Sequence, residues 1–261
     1  MDVAQKVDTG DDDIISLSVG ALSAVLRTAT DHPCLLILLT DGSAYYSSVF
    51  KLINQLKTPC LFGFFEVSAG SHDANFLQKQ LSKFATEAQR LRQVSWCVTV
   101  VVVSDDLAFL ATFARTSNNS RLLVPETRLL AITRQPLVQL EVVKETFSLK
   151  NAMFLVVNTS SGSLRCGVYL QVPYSPLDAQ ALQVASWTPQ RGLALTSSLP
   201  LFPDKFSRFL HRPNLRVVSV ESTSHRLVLV DDPEVPGKKR ITFEGIMANV
   251  NDYLAKALNF T

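Results

Sequence analysis

Short, continuous apolar runs alternate with amphipathic stretches through the first two thirds of the chain. The runs at 34–40 and 98–103 carry few polar side chains, which is typical of strands buried on both faces of a parallel sheet. Between them, as in 45–56, apolar residues recur at helical spacing. The alternation predicts an α/β fold with helices on the faces of a parallel sheet, in which 35–39 and 98–103 are adjacent central strands.

The other elements of this region follow from the same two patterns. Further strands are predicted at 59–67, 129–133, 153–157 and 167–172, and helices at 45–56, 75–92, 105–115 and 138–147. The strand at 167–172 is expected to pair antiparallel with 153–157 across the Ser/Gly-rich turn 159–163. Ser104 is the predicted N-cap of the helix at 105–115.

The pattern changes near residue 173, where prolines become frequent. We predict four segments, namely an N-terminal segment 1–29, an amino-terminal α/β domain 30–172, a connecting segment 173–213 and the start of a second domain at 214–261. Within the last segment, strands are predicted at 215–220 and 226–230, followed by a turn at 231–239. A helix is predicted from Gly245 to about Leu258.

The composition is that of a globular chain. Of its 261 residues, 47% are hydrophobic and 18% charged, which excludes wholesale disorder. The net charge of +2, without a basic stripe, argues against a nucleic-acid partner. The longest apolar runs are far shorter than the roughly 18 residues that a membrane helix needs. The first residues lack the apolar core of a signal peptide, so neither targeting segment is expected in this chain.

The sequence contains little that indicates an enzyme. The chain contains no phosphate-binding glycine loop, nucleophile elbow or zinc-protease motif, so we predict no enzyme, no cofactor and no metal. The four histidines are scattered along the chain, and we expect each to be an isolated surface residue: His32, His72, His211 and His225. The four cysteines lack the spacing of a zinc site or redox pair, and their pairing stays open: Cys34, Cys60, Cys97 and Cys166.

One loop of the chain resembles part of a metal-binding motif. Asp41-Gly42-Ser43 follows a predicted strand, as the first ligand loop of a von Willebrand A-type adhesion domain would. Such a loop has the pattern Asp-x-Ser-x-Ser, which supplies one carboxylate and two hydroxyls to a divalent cation. Tyr45 occupies the third ligand position and cannot substitute. We therefore favour an Asp-Gly turn at a strand end.

The closing segment carries a recognisable pattern: LRVVSV at 215–220, FEG at 243–245 and LAKALNFT at 254–261. This pattern resembles the start of the extracellular ligand-binding domain of ionotropic glutamate receptors, with Phe243, Glu244 and Gly245 as the family motif. A looser likeness at 187–206 is to the segment that precedes this domain in divergent arthropod chemosensory receptors. The resemblance implies the start of a periplasmic-binding-protein-like lobe at 214–261.

Two departures argue against glutamate as the ligand. The chain has ESTSH at 221–225 where glutamate-binding members usually have Glu-Pro-aromatic, and Asn249 where an aspartate is common. The weak ligand-binding candidates are Glu221, Thr223 and His225. The resemblance implies an extracellular part of a ligand-gated ion channel at the plasma membrane, which binds an amino acid, amine or acid and assembles with other subunits. The alternative is a soluble periplasmic-type solute-binding protein.

Two further expectations concern the extracellular setting and the end of the chain. Asn118, Asn158 and Asn259 lie in N-x-S/T sequons, and at least one is expected to be glycosylated. The lobe that begins at 214 ends at 261, so the sequence is expected to be a fragment of a longer receptor. We expect the segment 215–261 to be loosely docked, and the chain alone to bind no amino acid and to pass no current.

Overall fold

A computed structural model describes residues 14–29, 34–43, 46–56, 61–68, 74–159, 163–176, 179–216, 218, 225–232 and 235–261. The chain divides into two compact units. Unit 1 comprises residues 1–172 and 180–203, and unit 2 comprises residues 173–179 and 204–261.

Unit 1 alternates strands and helices along most of its length. Its elements are α1 (Ile14–Ala29), β1 (Leu35–Thr40), α2 (Tyr46–Leu56), β2 (Phe62–Glu66), α3 (Ala74–Gln93), β3 (Val98–Val103), α4 (Leu107–Asn119), β4 (Arg128–Thr133), a 3-10 helix (Leu137–Leu140), α5 (Glu141–Ser148), β5 (Ala152–Asn158), β6 (Arg165–Leu170), β7 (Leu182–Thr188) and β8 (Gly192–Leu195). The predicted elements between 34 and 172 are thus present, with ends that differ by a few residues.

In the described part of unit 1, eight strands form one sheet in the order β2-β1-β3-β4-β5-β6-β7-β8. The strands from β2 to β5 are parallel, and β6, β7 and β8 join antiparallel. The prediction that β1 and β3 are adjacent central strands is confirmed, since every residue of both is buried. The predicted antiparallel pairing of β5 with β6 is confirmed as well.

Alternate side chains of the strands point into two separate cores. Leu36 and Leu38 of β1 pack in the core that includes α1 and α2, whereas Leu35, Ile37 and Leu39 pack in the core that includes α3, α4 and α5. A strand buried on both faces must be apolar at every position, which is why the runs at β1 and β3 are continuous. The fold class is therefore α/β, with helices on both faces of a mostly parallel sheet.

The structure differs from the sequence prediction in three places within unit 1. The N-terminal segment 1–29 contains α1, whose buried residues include Ile15, Leu22 and Val25. The segment 173–213, predicted as a connection, contributes β7 and β8 to the sheet. The N-cap of α4 is Asp106, whose carboxylate accepts a hydrogen bond from Ala108 N, while Ser104 serves a different purpose described below.

Unit 2 contains an antiparallel pair of strands followed by a helix. Its elements are β9 (His225–Asp231), β10 (Lys239–Gly245) and α6 (Ile246–Leu258). The predicted helix is confirmed. No strand was predicted between the turn at 231–239 and this helix, where the structure has β10. The strand predicted at 215–220 lies mostly outside the described residues. Gly245 is the N-cap of α6 with φ 121° and ψ −175°, a conformation that glycine adopts without strain.

Candidate functional site

The connections of the parallel strands reverse direction between β1 and β3. From β1 the chain passes through α2 to β2 on one side of β1, and from β2 it returns through α3 to β3 on the other side. In open α/β sheets, small ligands bind in the crevice outside the carboxyl ends of the strands at such a switch point. The loops that follow β1, β3 and β4 therefore form the candidate site of unit 1.

Asp41 connects the first two of these loops. Its Oδ1 accepts hydrogen bonds from Ser43 N at 3.0 Å and from Ser43 Oγ at 2.5 Å. Its Oδ2 accepts one from Ser104 Oγ at 2.5 Å, across 63 residues of sequence. Ser104 is fully buried, and its hydroxyl also accepts from Asp106 N at 3.0 Å. The bond between Asp41 and Ser104 thus fixes the spacing of the loops at the switch point.

Asp105 connects the second and third loops. One of its carboxylate oxygens accepts from Arg134 N at 2.6 Å and from Thr133 Oγ1 at 3.2 Å. The other pairs with Arg134 Nε at 2.6 Å. Gln135 Nε2 donates to the Asp105 backbone oxygen at 2.6 Å. These bonds hold the loop after β4 against the loop after β3, and they already engage the guanidinium group of Arg134.

The edge is acidic. In the described chain its charged side chains are the carboxylates of Asp41, Glu66, Asp105 and Asp106 and the guanidinium of Arg134. Glu66 ends β2, and its Oε1 lies 3.6 Å from the position of a Cβ built on Gly42, so its carboxylate belongs to the same edge. An edge of this charge attracts cations and amine groups more than anions.

A hydroxyl at the same end of β1 adds to the polar character. Thr40 is fully buried, and within the described part of the chain its Oγ1 has no hydrogen-bond partner. A buried hydroxyl without a hydrogen-bond partner costs free energy. The described residues contain no group of three or more His, Cys, Asp or Glu that could hold a metal ion. Tyr45, which occupies the third ligand position of the adhesion-domain pattern, lies outside the described residues.

The sequence-predicted ligand residues do not form part of this edge. Glu221 and Thr223 lie outside the described residues, and His225 is the first residue of β9, with a side chain that is not described. The family motif falls at the junction of β10 and α6. Phe243 is 40% exposed, and Glu244 pairs with Arg226 at 3.8 Å on the surface, where such a pair contributes little. Sequence patterns did not single out Ser104 or Asp105 as site residues, since neighbouring strand ends are recognised only once the strand order is known.

The three sequons differ in their surroundings. Asn158 is exposed at the end of β5, and Asn118 is exposed in the last turn of α4. Asn259 is the left-handed C-cap of α6, and its Nδ2 donates to the Phe209 backbone oxygen at 2.9 Å. Glycosylation would replace one of the two hydrogens on Asn259 Nδ2, the nitrogen that makes this bond.

The cysteines resolve a question that the sequence left open. Cys34 and Cys97 form a disulfide, with their Cα atoms 4.8 Å apart, at the amino ends of β1 and β3. Cys166 of β6 is a buried free thiol, and burial raises its pKa to about 12. It is therefore protonated and unreactive at neutral pH. Cys60 lies outside the described residues.

Comparison with known proteins adds little. No protein-family model matches the chain, and no curated protein matches it. Among solved structures, the chain is similar to the crystal structure of a probable maltose operon transcriptional repressor from Staphylococcus aureus. The match has 11% sequence identity and a TM-score of 0.37, and it spans 56% of this chain and 47% of the repressor chain. A likeness this weak carries no argument about function. No helix in the described ranges has the length and apolar character to cross a membrane.

Proposed function

We propose that the chain is the extracellular ligand-sensing region of a glutamate-receptor-like ion-channel subunit, most similar to divergent chemosensory receptors. Its ligand at unit 1 is a small amine-bearing molecule, and the cation pore and partner subunits lie outside these 261 residues. The observation that carries the binding proposal is the acidic, hydroxyl-lined edge at the switch point between β1 and β3.

The chemistry of the edge favours an amine. An ammonium group 4 Å from a carboxylate near a protein surface is attracted by roughly 4 kcal/mol. Arg134 is already held by Asp105, so a ligand carboxylate would have to compete with an existing ion pair.

The receptor class is supported by the closing segment. The resemblance implies the motif Phe243–Gly245 in the first turn of the helix, whereas here the motif ends β10 and Gly245 is the N-cap of α6. The disulfide between Cys34 and Cys97 favours an oxidising compartment, which agrees with the extracellular side of the plasma membrane. A soluble solute-binding protein would have the same kind of sheet and remains the alternative.

Isothermal titration of the whole chain with small amines, amino acids and carboxylic acids tests the ligand site. We expect saturable binding of an amine that Asp41→Asn and Ser104→Ala each weaken at least about tenfold, equivalent to about 1.4 kcal/mol. Two matched controls should bind normally. Ser148→Ala removes a buried hydroxyl that donates to Glu145 O at the end of α5, and Asp252→Asn removes an exposed carboxylate of α6.

Two results would contradict the site. Binding that survives Asp41→Asn and Ser104→Ala would exclude the edge of unit 1. Binding that is lost when 215–261 is deleted would instead show that the lobe predicted to be incomplete forms a working site. Circular dichroism of each variant separates loss of binding from loss of the fold.

The receptor class has its own test. The native transcript, sequenced through both ends of this reading frame, is expected to encode a signal peptide before residue 1. Beyond residue 261 it should encode the remainder of a two-lobed domain and membrane-spanning helices. A transcript that encodes a second soluble lobe without membrane helices would favour the solute-binding protein.

A further inference from the structure

At the antiparallel end of the sheet, the face opposite α1 is only partly covered, by packing of Val156 and Tyr169 against the core that includes α5. On the face occupied by α1, the side chains of Cys166, Val168 and Ala185 are buried. The opposite face of β5–β8 carries instead a cavity of about 680 Å³, a size typical of sites that enclose a small organic ligand. All of the residues that line this cavity lie in unit 1.

The floor of the cavity is low because its middle row has small side chains. Strand register places Val156, Gly167, Ser186 and Ala194 side by side across four strands. The ring of Tyr169 lies against Gly167, where a Cβ would come within 2.5 Å of a ring carbon. The tyrosine ring therefore occupies the space above Gly167, and Ser186 and Ala194 form the next part of the row that lines the cavity.

The walls are polar and carry no negative charge. Tyr169, Gln183, Thr188, Gln190 and Arg191 supply hydroxyl, amide and guanidinium groups, and none of the lining residues, all within the described ranges, is Asp or Glu. Such groups donate and accept hydrogen bonds along a flat aromatic surface. This is a surface suited to a molecule rich in hydroxyl and amide groups, such as a sugar.

The sequence places an attachment point for a sugar at the rim. Asn158 lines the same cavity, lies directly opposite Arg165, and begins the sequon Asn158-Thr159-Ser160. It is two residues from Val156 on the same face of β5, so its side chain starts about 7 Å from the row of small residues. It is also exposed at the end of β5, where an acceptor asparagine is accessible.

We propose that Asn158 carries an N-linked oligosaccharide whose first sugar residues lie in this cavity and cover the bare face of β6–β8. The inference rests on the extracellular placement in the proposed function. Attachment joins the sugar C1 to Asn158 Nδ2, with a lipid-linked oligosaccharide as donor and its diphosphate carrier as leaving group. Neither Asn118 nor Asn259 is among the residues that line this cavity.

The test uses the whole chain secreted from insect cells behind a foreign signal peptide. Glycopeptide mass spectrometry is expected to find Asn158 occupied. Endoglycosidase should then trim the glycan about tenfold more slowly from the folded chain than from the denatured chain, since a seated core must first detach. Ser186→Trp fills the middle of the floor and should abolish this protection. Ser82→Trp, on the exposed side of α3, is the control and should leave it unchanged.

Each other outcome overturns the inference. If Asn158 is unmodified in the secreted chain, whether or not another sequon is occupied, the attachment site is wrong. If it is occupied but trimmed equally fast from folded and denatured protein, the glycan does not lie in the cavity. Amine binding by unglycosylated chain from bacteria is measured separately, so failure here leaves the proposed ligand site standing.

Discussion

The disulfide offers the most quantitative test of this architecture. We consider the double substitution Cys34→Ala/Cys97→Ala, which opens a link between residues 63 apart in sequence. The closed loop contains β1, α2, β2 and α3, so the link restricts a large part of the unfolded chain. In the folded protein the two strands are already in register there, with Leu35 N donating to Cys97 O at 2.9 Å. The disulfide should therefore act mainly on the unfolded state.

The magnitude follows from the loop length. For a loop of about 63 residues the chain-entropy relation gives about 4 kcal/mol at 25 °C. The free energy of unfolding of a whole domain is only about 5–15 kcal/mol. Loss of the disulfide should therefore shift the unfolding midpoint of unit 1 to a much lower urea concentration. Trp187, which packs against Gly20 of α1, is a fluorescent reporter of that transition.

The matched control is Cys166→Ala, which removes a buried sulfur that is not in a disulfide. This control loses contacts but no cross-link, so its cost should be closer to that of a small cavity, about 1 kcal/mol. Urea titrations of the three proteins give the comparison directly. A double variant that loses less than the control would refute the reasoning, as would peptide mapping that finds Cys34 and Cys97 as free thiols in secreted protein.

Three further predictions concern single side chains. Gly20→Ala should destabilise unit 1 by about 1–3 kcal/mol despite the better helix propensity of alanine, because the new Cβ would lie 2.5 Å from Trp187 Cζ2; thermal melting checks this, and Trp187→Phe should relieve it. Gly245→Ala should cost about 1–3 kcal/mol at the start of α6, since φ of 121° strains other residues; hydrogen exchange over 246–258 checks it. Burial lowers the pKa of Lys205 to about 7 from 10.5, so between these values the unfolded chain holds a proton that the folded chain lacks and stability rises with pH. Lys205→Met should flatten that rise by at most about 1.4 kcal/mol per pH unit in denaturation series, and an unchanged slope would exclude the shift.

The parallel part of the sheet was predictable because burial on both faces leaves an unambiguous pattern. A run such as 98–103 has no polar face, so few structures other than a central strand accommodate it. The helix α1 was also readable, since Ile15, Val19, Leu22 and Val25 recur at helical spacing and are buried. Our prediction gave this stretch only as an N-terminal segment, without a helix.

Other features depend on information that a local pattern does not contain. The strands β7 and β8 were hidden by prolines at 173, 176, 189 and 200, which lie outside the strands themselves. The link between Asp41 and Ser104 depends on strand order, because residues 63 apart meet only when β1 and β3 are neighbours. The same holds for the disulfide, whose cysteines precede those two strands.

The last prediction concerns α6. The helix has no buried residue, and on the face where its apolar residues recur at helical spacing, Met247, Val250 and Leu254 are each more than 40% exposed, while Leu258 is half-buried. A Leu or Val side chain contributes roughly 1.5–3 kcal/mol only when fully buried, whereas ordering each residue costs about 1–2 kcal/mol of backbone entropy.

The described hydrogen bonds hold mainly the end of the helix, where Phe209 N donates to Leu258 O at 2.8 Å. We therefore expect amides at 246–254 to exchange with deuterium much faster than those of β1 and β3 in the same chain. Protection in α6 equal to that of β3 would mean that these contacts suffice to order the helix. The expectation of a lobe completed by residues beyond 261 would then lose its physical basis.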